Sequence, residues 1–538
     1  MQFSDAVRAK IGRRNPMTAS EFMERMVVTC NDTTPLLSLS PALGKAAVYS
    51  CDVTQEFDVE TNGPEIKAEF HWVAAFISFC RLFESKCAVP VTLLMSAIGV
   101  GTLAVPYTFV LLSSVQAVVV LGCVGLAMGF TADILVDVHV SVATDSASDP
   151  QQSQETTYQY LARRSCGKSF ARLTGALTAF AVFGACVGCL RVVKDMAPMM
   201  LSAMDAGFES RTVIEQQHAI MLAVWMVVLI VLLPLGCLTK ISALRFSSYL
   251  GVAFSVYLIG AVTYRAVFGG GVNDRAQVSA TSAKTETLLF WRVSEVVGVY
   301  NFIFMIHLNV VPLLAQVVTA EKERQKNCYR DLEQIVSEET FVLVHVLQSA
   351  RLTMRRHLTL VIGACILLYA IFGLSTAQIY GNRTQGNILL NLSNDQIMAV
   401  PRVTILLTIL FSFPLLLHPL RSLVLEVVMV RTSQIVDKAL DDEVGQTREP
   451  SQAVHAAVTV LLVIAQILCA FRVPGLQVVF SFVGASVLLM LCYVFPLIFY
   501  VQLAPRRPSR KRLILLSALT FTAVIFCAAA TLQLILSA

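Results

Sequence analysis

The chain has 538 residues, of which 56% are hydrophobic and 14% charged, and its formal net charge is +5. A soluble domain carries about a quarter charged residues, so this balance excludes a freely soluble protein and points to lipid as the solvent. Apolar runs of roughly 20 residues, the length that crosses a bilayer, recur from about residue 88 to the C-terminus, which predicts an all-α, multi-pass membrane protein.

Residues 1–84 are polar and mixed in charge, and they read as a cytosolic N-terminal tail with a short helix near 19–27. Within it, "DTTPLL" at 32–37 has the form of an acidic dileucine sorting signal. There is no basic start followed by an apolar core and a small-residue cleavage site, so no signal peptide is expected. Residues 85–538 read as one transmembrane domain. Its spans are predicted at 88–113, 116–138, 172–200, 218–237, 246–267, 288–317, 358–380, 398–427, 453–471, 474–502 and 513–536, eleven in all. A charged cytosolic insert at about 320–356 carries the amphipathic stretch "EETFVLVHVLQSARL". It is expected on the membrane surface or over an inner gate, or as a plain solvated helix.

Basic residues set the orientation, because loops rich in Lys and Arg stay on the cytosolic side. With the N-terminus inside, the inner loops hold Arg163, Arg164, Lys168, Lys240, Lys322, Arg324, Arg351, Arg355, Arg356, Arg431 and the cluster Arg506, Arg507, Arg510, Lys511 and Arg512. The outer loops hold Arg211, Arg275, Lys284, Arg383 and Arg472. Two N-x-S/T sequons, at Asn382 and Asn391, fall in the outer loop between the seventh and eighth spans, on the side that glycosylation requires. Most of the 14 cysteines lie within spans, where cysteine is mainly a small apolar residue. Cys186 and Cys189 are read as packing, and neither a disulfide framework, a zinc site nor a cofactor is expected.

The first span carries "SAIGVGTLAVPY" at 96–107. Gly99 and Gly101 each lower helix propensity by about 1 kcal/mol relative to Ala, and Pro106 removes a donor, so this span is expected to be broken. An unpaired backbone group in hydrocarbon costs several kcal/mol. A break is tolerated only where protein, water or a ligand meets those groups. Inverted-repeat transporters place such breaks at corresponding points in their two halves. Five spans later the run "LLFWRVSEVVGVYNFIFMIHLNVVPLLAQV" is too long for a plain span and carries Gly298, Asn301, His307, Asn309 and Pro312.

These segments resemble known ones. "FIFMIHLNVVPL" at 302–313 is similar to the F-x-F-x-x-H-x-x-V-x-P signature in the sixth helix of the amino acid/auxin permease family, particularly its neutral amino acid transporters. "GVGTLAVPY" at 99–107 resembles the first-helix G-x-G-x-L-x-x-P-Y, and "TYQYLARRSCGK" at 157–168 the stretch leading into the third helix. "FPLLLHPLR" at 413–421 resembles the eighth helix, and "VFSFVGASVLLMLCYVFPLIFY" at 479–500 the tenth. The resemblance runs in order from about 94 to 502 and implies a 5+5 inverted-repeat (LeuT-like) core with broken helices 1 and 6 plus one extra helix. It also implies transport of amino acids by alternating access.

For an α-amino acid substrate, an exposed helix N-terminus suits the carboxylate. That role is assigned to the backbone of Gly99, Val100, Gly101 and Thr102. Carbonyls for the ammonium are expected from Ile98 and from Val297 to Tyr300, with Tyr300, Asn301 and Phe302 lining the side-chain pocket. The resemblance implies a sodium site with asparagine and threonine where this chain has Met95 and Ser412. A thioether is a poor ligand for a hard cation, so proton coupling or uncoupled movement is expected instead. His307, with an ordinary pKa near 6.5, is either a proton carrier or a packed histidine bonded to a neighbouring helix. Glu295 and Arg292 either gate the outer vestibule, read a cationic side chain, or pair with each other. Arg191, Lys194, Asp195, Asp133 and Asp137 are expected to snorkel toward the span ends.

The expected partners are a small-molecule amino acid, the lipid bilayer and protons, with no nucleic acid. The plasma membrane or an endosomal, lysosomal or vacuolar membrane is the expected location. The rival class is a transporter-like amino acid sensor that signals through its tail. An enzyme is not expected, since no G-x-S-x-G with a histidine and no facing aspartate pair is found, and no G-K-[ST] follows "GVGT".

Overall fold

The computed structural model describes residues 88–146, 157–205, 207–237, 245–268, 286–329, 339–392, 398–439, 452–503 and 509–537, all within the unit formed by residues 69–538. The tail, its 19–27 helix and its 32–37 motif lie outside the described residues. Ten helices are long and apolar enough to cross a membrane, and the pair Ala88–Ala97 and Val100–Leu111, bent by 41°, makes the eleventh. The others are Ser114–Ser146, Lys168–Met204, Val213–Gly236, Arg245–Phe268, Leu289–Gln325, Glu339–Tyr380, Ala399–Ala439, Gln452–Arg472, Leu476–Leu503 and Arg510–Ser537. Every predicted span is present, and no strand occurs among the described residues. Several helices overrun their predicted ends, because the hydrogen-bonded backbone continues past the point where the side chains turn polar.

Polar bonds tie the helices into two groups. In the first, Tyr300 of the sixth span sits 2.7 Å from Thr108 Oγ1 of the first and donates to the Ala117 carbonyl of the second. His307 Nε2 of the sixth lies 2.8 Å from Thr131 Oγ1 of the second. Tyr369 of the seventh donates to the Ala97 carbonyl of the first at 2.8 Å. At the far end of the second span, Asp133 and Asp137 do not snorkel. Arg355 pairs with Asp133 at 2.5 Å and with Asp137 at 3.1 Å, Arg351 pairs with Asp137 at 2.6 Å, and Arg512 of the eleventh span reaches Asp137 as well. Asp137 is almost fully buried, so paired cations replace the water it has lost.

In the second group, the buried Arg421 of the eighth span donates to the Gly236 carbonyl of the fourth at 3.0 Å and to Thr459 of the ninth at 3.4 Å. Arg402 reaches Met199 Sδ of the third. Lys194 of the third span donates to the Phe471 carbonyl, and Arg191 to those of Val473 and Pro474. Arg191 also pairs with Asp195 at 3.0 Å. The two cations therefore cap the turn after the ninth span rather than snorkel, because that turn presents carbonyls with no helical partner, and Asp195 is held by Arg191 and by the Asn387 amide at 3.1 Å.

The tenth span lies between glycine faces. A Cβ on Gly188 of the third span would meet Phe480 at 2.5 Å, and one on Gly298 of the sixth would meet the Ser481 carbonyl at 2.7 Å. A Cβ on Gly484 would collide with the Gly298 carbonyl. Gly298 thus permits a close helix crossing. The tenth span is itself irregular, with a turn at Ser486 and a widened π-helical turn over Met490–Val494. Carbonyls released there are met by side chains: Tyr158 donates to Leu491 O at 2.5 Å and Thr520 to Tyr493 O at 3.4 Å.

The described part of the insert is neither a surface helix nor a separate one. It is the end of the sixth-span helix, His307–Tyr329, and the start of the seventh-span helix, Glu339–Tyr380. Val346, Leu347 and Ala350 are buried there. Ser349 bonds Glu321 at 2.5 Å and His345 lies 2.9 Å from Gln325, both on the continuation of the sixth span.

Candidate functional site

The first span unwinds at Ile98 and Gly99. Gly99 is extended (φ −126°, ψ −154°) and exposed, and no atom lies within 4 Å of where its Cβ would be. Its N–H turns back to the Ala97 carbonyl at 3.0 Å, and Thr102 N–H closes on the Gly99 carbonyl at 3.1 Å. A 3-10 turn, Val100–Ala104, then leads into the helix Val105–Leu111. Pro106 stands in the first turn of that helix, where a missing N–H has no partner to lose. It therefore starts the second half of the span rather than breaking it. Gly101 and Thr102 are buried, Gly101 under Phe302 and Ile303, whose carbons would lie 3.0 Å from an added Cβ. Thr102 Oγ1 has no hydrogen-bond partner within bonding geometry among the described residues.

The sixth span is also broken, between helices Glu286–Ile303 and His307–Tyr329. Phe304, Met305 and Ile306 are unwound. Met305 N–H reaches Phe302 O at 3.3 Å and Ile306 N–H reaches Phe304 O at 2.8 Å. The residues expected to supply acceptor carbonyls, Val297 to Tyr300, lie inside the continuous helix four or more residues too early. The expectation followed the glycine, but Gly298 serves packing against the tenth span, and neither glycine nor proline stands at 304–306.

Across the two breaks, the carbonyls of Ile98 and Met305 accept no hydrogen bond from the described residues. Asn309 is exposed, and its Nδ2 donates to Ser96 Oγ at 2.6 Å, which joins the first half of the first span to the second half of the sixth. Free carbonyls and an exposed amide at mid-span would each cost several kcal/mol against lipid. In a bilayer they need a partner from protein, water or a ligand.

Tyr300, Asn301 and Phe302 do not line one pocket. Tyr300 faces Thr108 and the second span. Asn301 faces the tenth and eleventh, where it accepts from Tyr493 at 3.0 Å and donates to Gly484 O and Cys527 Sγ. Only Phe302 turns toward the first break, stacked on Phe480 with centroids 4.2 Å apart. His307 is fully buried against Thr131, with Nδ1 unpaired among the described residues. Ser412 spends its hydroxyl on the Thr408 carbonyl of its own helix at 2.7 Å, and Met95 is half-buried one residue before Ser96. Glu295 is half-buried and forms no ion pair with the exposed Arg292; Ser481 Oγ bonds the Glu295 carbonyl at 3.1 Å. Asn382 is exposed, whereas the Asn391 amide is held by Arg383 O and Gln385 N, both at 2.8 Å. Asn309 is the residue that the sequence reading did not single out for the site; its signal was an amide inside an apolar helix.

Residues 86–329 and 340–537 match the family described as transmembrane amino acid transporter protein, and the chain belongs to that family. It is 25% identical over 403 residues to the sodium-coupled neutral amino acid transporter 7 of Xenopus laevis, covering 74% of this chain and 76% of that one. It is 23% identical to the vacuolar amino acid transporter 5 of Schizosaccharomyces pombe, covering 61% of this chain and 65% of that one. With the vacuolar amino acid transporter 7 of Saccharomyces cerevisiae it shares 22% identity, covering 64% and 60%. The chain thus spans just under two thirds of each yeast relative.

The glycines of the first break differ in a testable way. Gly99→Ala enters open space at an extended backbone and should leave the melting temperature of the purified protein unchanged. Gly101→Ala must displace Phe302, and overpacking of this kind costs about 1–3 kcal/mol, so its melting temperature should fall. Equal effects of the two would contradict the geometry.

Proposed function

We propose that this chain carries amino acids across its membrane by alternating access, taking neutral side chains, with coupling to protons or none rather than to sodium. The observation that carries the reading is the pair of facing helix breaks. The Ile98 and Met305 carbonyls suit an ammonium group, and the start of the 3-10 turn at Val100, Gly101 and Thr102 offers backbone N–H groups to a carboxylate. Phe302, Phe480 and Ile303 beside Gly101 favour an uncharged side chain. The two bonded groups of helices supply the parts that rock past each other around the site.

Coupling follows from what the cation would meet. Sodium prefers oxygen ligands, and here it would find the Met95 thioether and a Ser412 hydroxyl already bonded within its helix. The name of the Xenopus relative speaks for sodium and those of the yeast relatives for a vacuolar membrane; the residues of this chain argue against sodium. His307, fully buried and bonded to Thr131 of the second span at 2.8 Å, fits the packed-histidine reading better than that of a proton carrier. Glu295 remains a gating candidate at the outer half of the sixth span.

Uptake into proteoliposomes of a panel of labelled amino acids, lysine and arginine included, tests this reading. Neutral amino acids should accumulate under an inward proton gradient or equilibrate without one, and a sodium gradient should add nothing. Acceleration by sodium would overturn the coupling. Specific binding with no flux under any gradient would overturn transport and support an amino acid sensor.

The basic residues of the loops support an N-terminus in the cytosol and a loop between the seventh and eighth spans outside. Of its two sequons, Asn382 is the accessible one. Asn382→Gln should therefore remove the glycan-dependent shift on a gel, and Asn391→Gln should not. A chain with no glycan on either would argue for the opposite orientation.

A further inference from the structure

Where the second, seventh and eleventh spans meet, three guanidinium groups close on one carboxylate. Asp137 receives Arg351 at 2.6 Å, Arg355 at 3.1 Å and Arg512 of the eleventh span. Asp133, one turn earlier, meets Arg355 through two nitrogens at 2.5 and 2.8 Å. Among the described residues no further acid pairs with these arginines, so three positive charges face two negative ones. Like charges drawn together where water is scarce repel. The surplus is also reachable: the side chain of Asp137 is 8% exposed, whereas those of Arg351, Arg355 and Arg512 are 35%, 26% and 36% exposed.

The neighbours extend the imbalance. Arg356, Arg510 and Lys511 are exposed and form no ion pair among the described residues. Within a turn of the arginines, Leu352, Ile514 and Leu515 expose apolar side chains. Unbalanced positive charge with apolar side chains alongside suits the boundary between lipid headgroups and acyl chains.

We propose that this cluster binds the phosphate of an acidic phospholipid in the adjoining leaflet, the cytosolic one in the orientation supported above. Guanidinium groups take phosphate oxygens two at a time, and a phosphodiester brings the negative charge that the cluster lacks. Leu352, Ile514 and Leu515 meet the acyl chains. Arg512 belongs to the eleventh span, and Arg351 and Arg355 to the seventh. The headgroup therefore bridges the two helices and adds to the tie that Asp137 makes between them. The site is independent of which solute the chain carries.

The test titrates the purified full-length chain in detergent with phosphatidylserine, phosphatidylcholine or inorganic phosphate. Native mass spectrometry counts bound lipid, and the melting temperature is read alongside. Phosphatidylserine should bind more tightly than phosphatidylcholine and raise the melting temperature, and inorganic phosphate at the same concentration should not. Arg512→Gln balances the cluster at two charges against two and leaves Asp137 its bonds to Arg351 and Arg355. It should weaken phosphatidylserine binding about fivefold, the factor that one cation near an acidic lipid surface contributes, with phosphatidylcholine unaffected. Arg512→Lys keeps the charge and should retain most of the binding. Asp133→Asn enlarges the surplus and should tighten phosphatidylserine binding by a similar factor.

Equal affinity of the wild-type chain for the two lipids would overturn the site. So would Arg512→Gln that binds phosphatidylserine as the wild type does. Stabilisation by inorganic phosphate that matches the lipid would overturn the lipid assignment and put a soluble anion in its place.

Discussion

The architecture depends on one constraint: inside a bilayer a backbone carbonyl or N–H that is not bonded by protein has no water to turn to. At several departures from regular helix among the described residues, a side chain or a neighbouring amide arrives. Tyr369 and the Gly99 amide meet Ala97 O, Tyr158 meets Leu491 O, Thr520 meets Tyr493 O, Asn301 meets Gly484 O, and Arg421 meets Gly236 O at the end of the fourth span. Against that background the Ile98 and Met305 carbonyls stand out. They lie in the two breaks, and the breaks fall in spans five apart. Groups left unpaired in a fold that pairs such groups elsewhere mark where something else must bind.

Glycine does two different jobs here, and the chain keeps them apart. At Gly99 the side opposite the backbone is open, and the residue gives access. At Gly101, Gly188, Gly298 and Gly484 the missing Cβ lets a ring or a carbonyl come close. Association of helices in lipid rests on such packing and on polar links, since lipid tails compete equally for apolar surface. The tenth span illustrates the result: it is pressed between the glycine faces of the third and sixth, with its Phe480 ring stacked on Phe302.

Much of this was legible in the sequence. Hydropathy located all eleven spans, and the glycine pair located the first break. The sixth break was expected in the right span but too early, because Phe304, Met305 and Ile306 carry no propensity signal and Gly298 carries a misleading one. Tyr300, Asn301 and Phe302 were expected in one pocket; consecutive helical residues project about 100° apart, and in the structure they face three different neighbours. Asp133 and Asp137 looked like span-end charges because their partners Arg351, Arg355 and Arg512 are distant in sequence. A contact between residues 213 positions apart, Ser96 to Asn309, is likewise invisible until the fold brings the breaks together.

The central claim is that the two breaks line a water-accessible cavity that holds an amino acid. Met305→Cys probes it most directly, since the claim uses the carbonyl of that residue and its side chain is half-exposed. Site-resolved mass spectrometry after treatment with a membrane-impermeant thiol reagent in proteoliposomes would read its reactivity. The account predicts labelling at position 305 that a saturating neutral amino acid suppresses. An unreactive position 305, or one whose reactivity no amino acid changes, would contradict it.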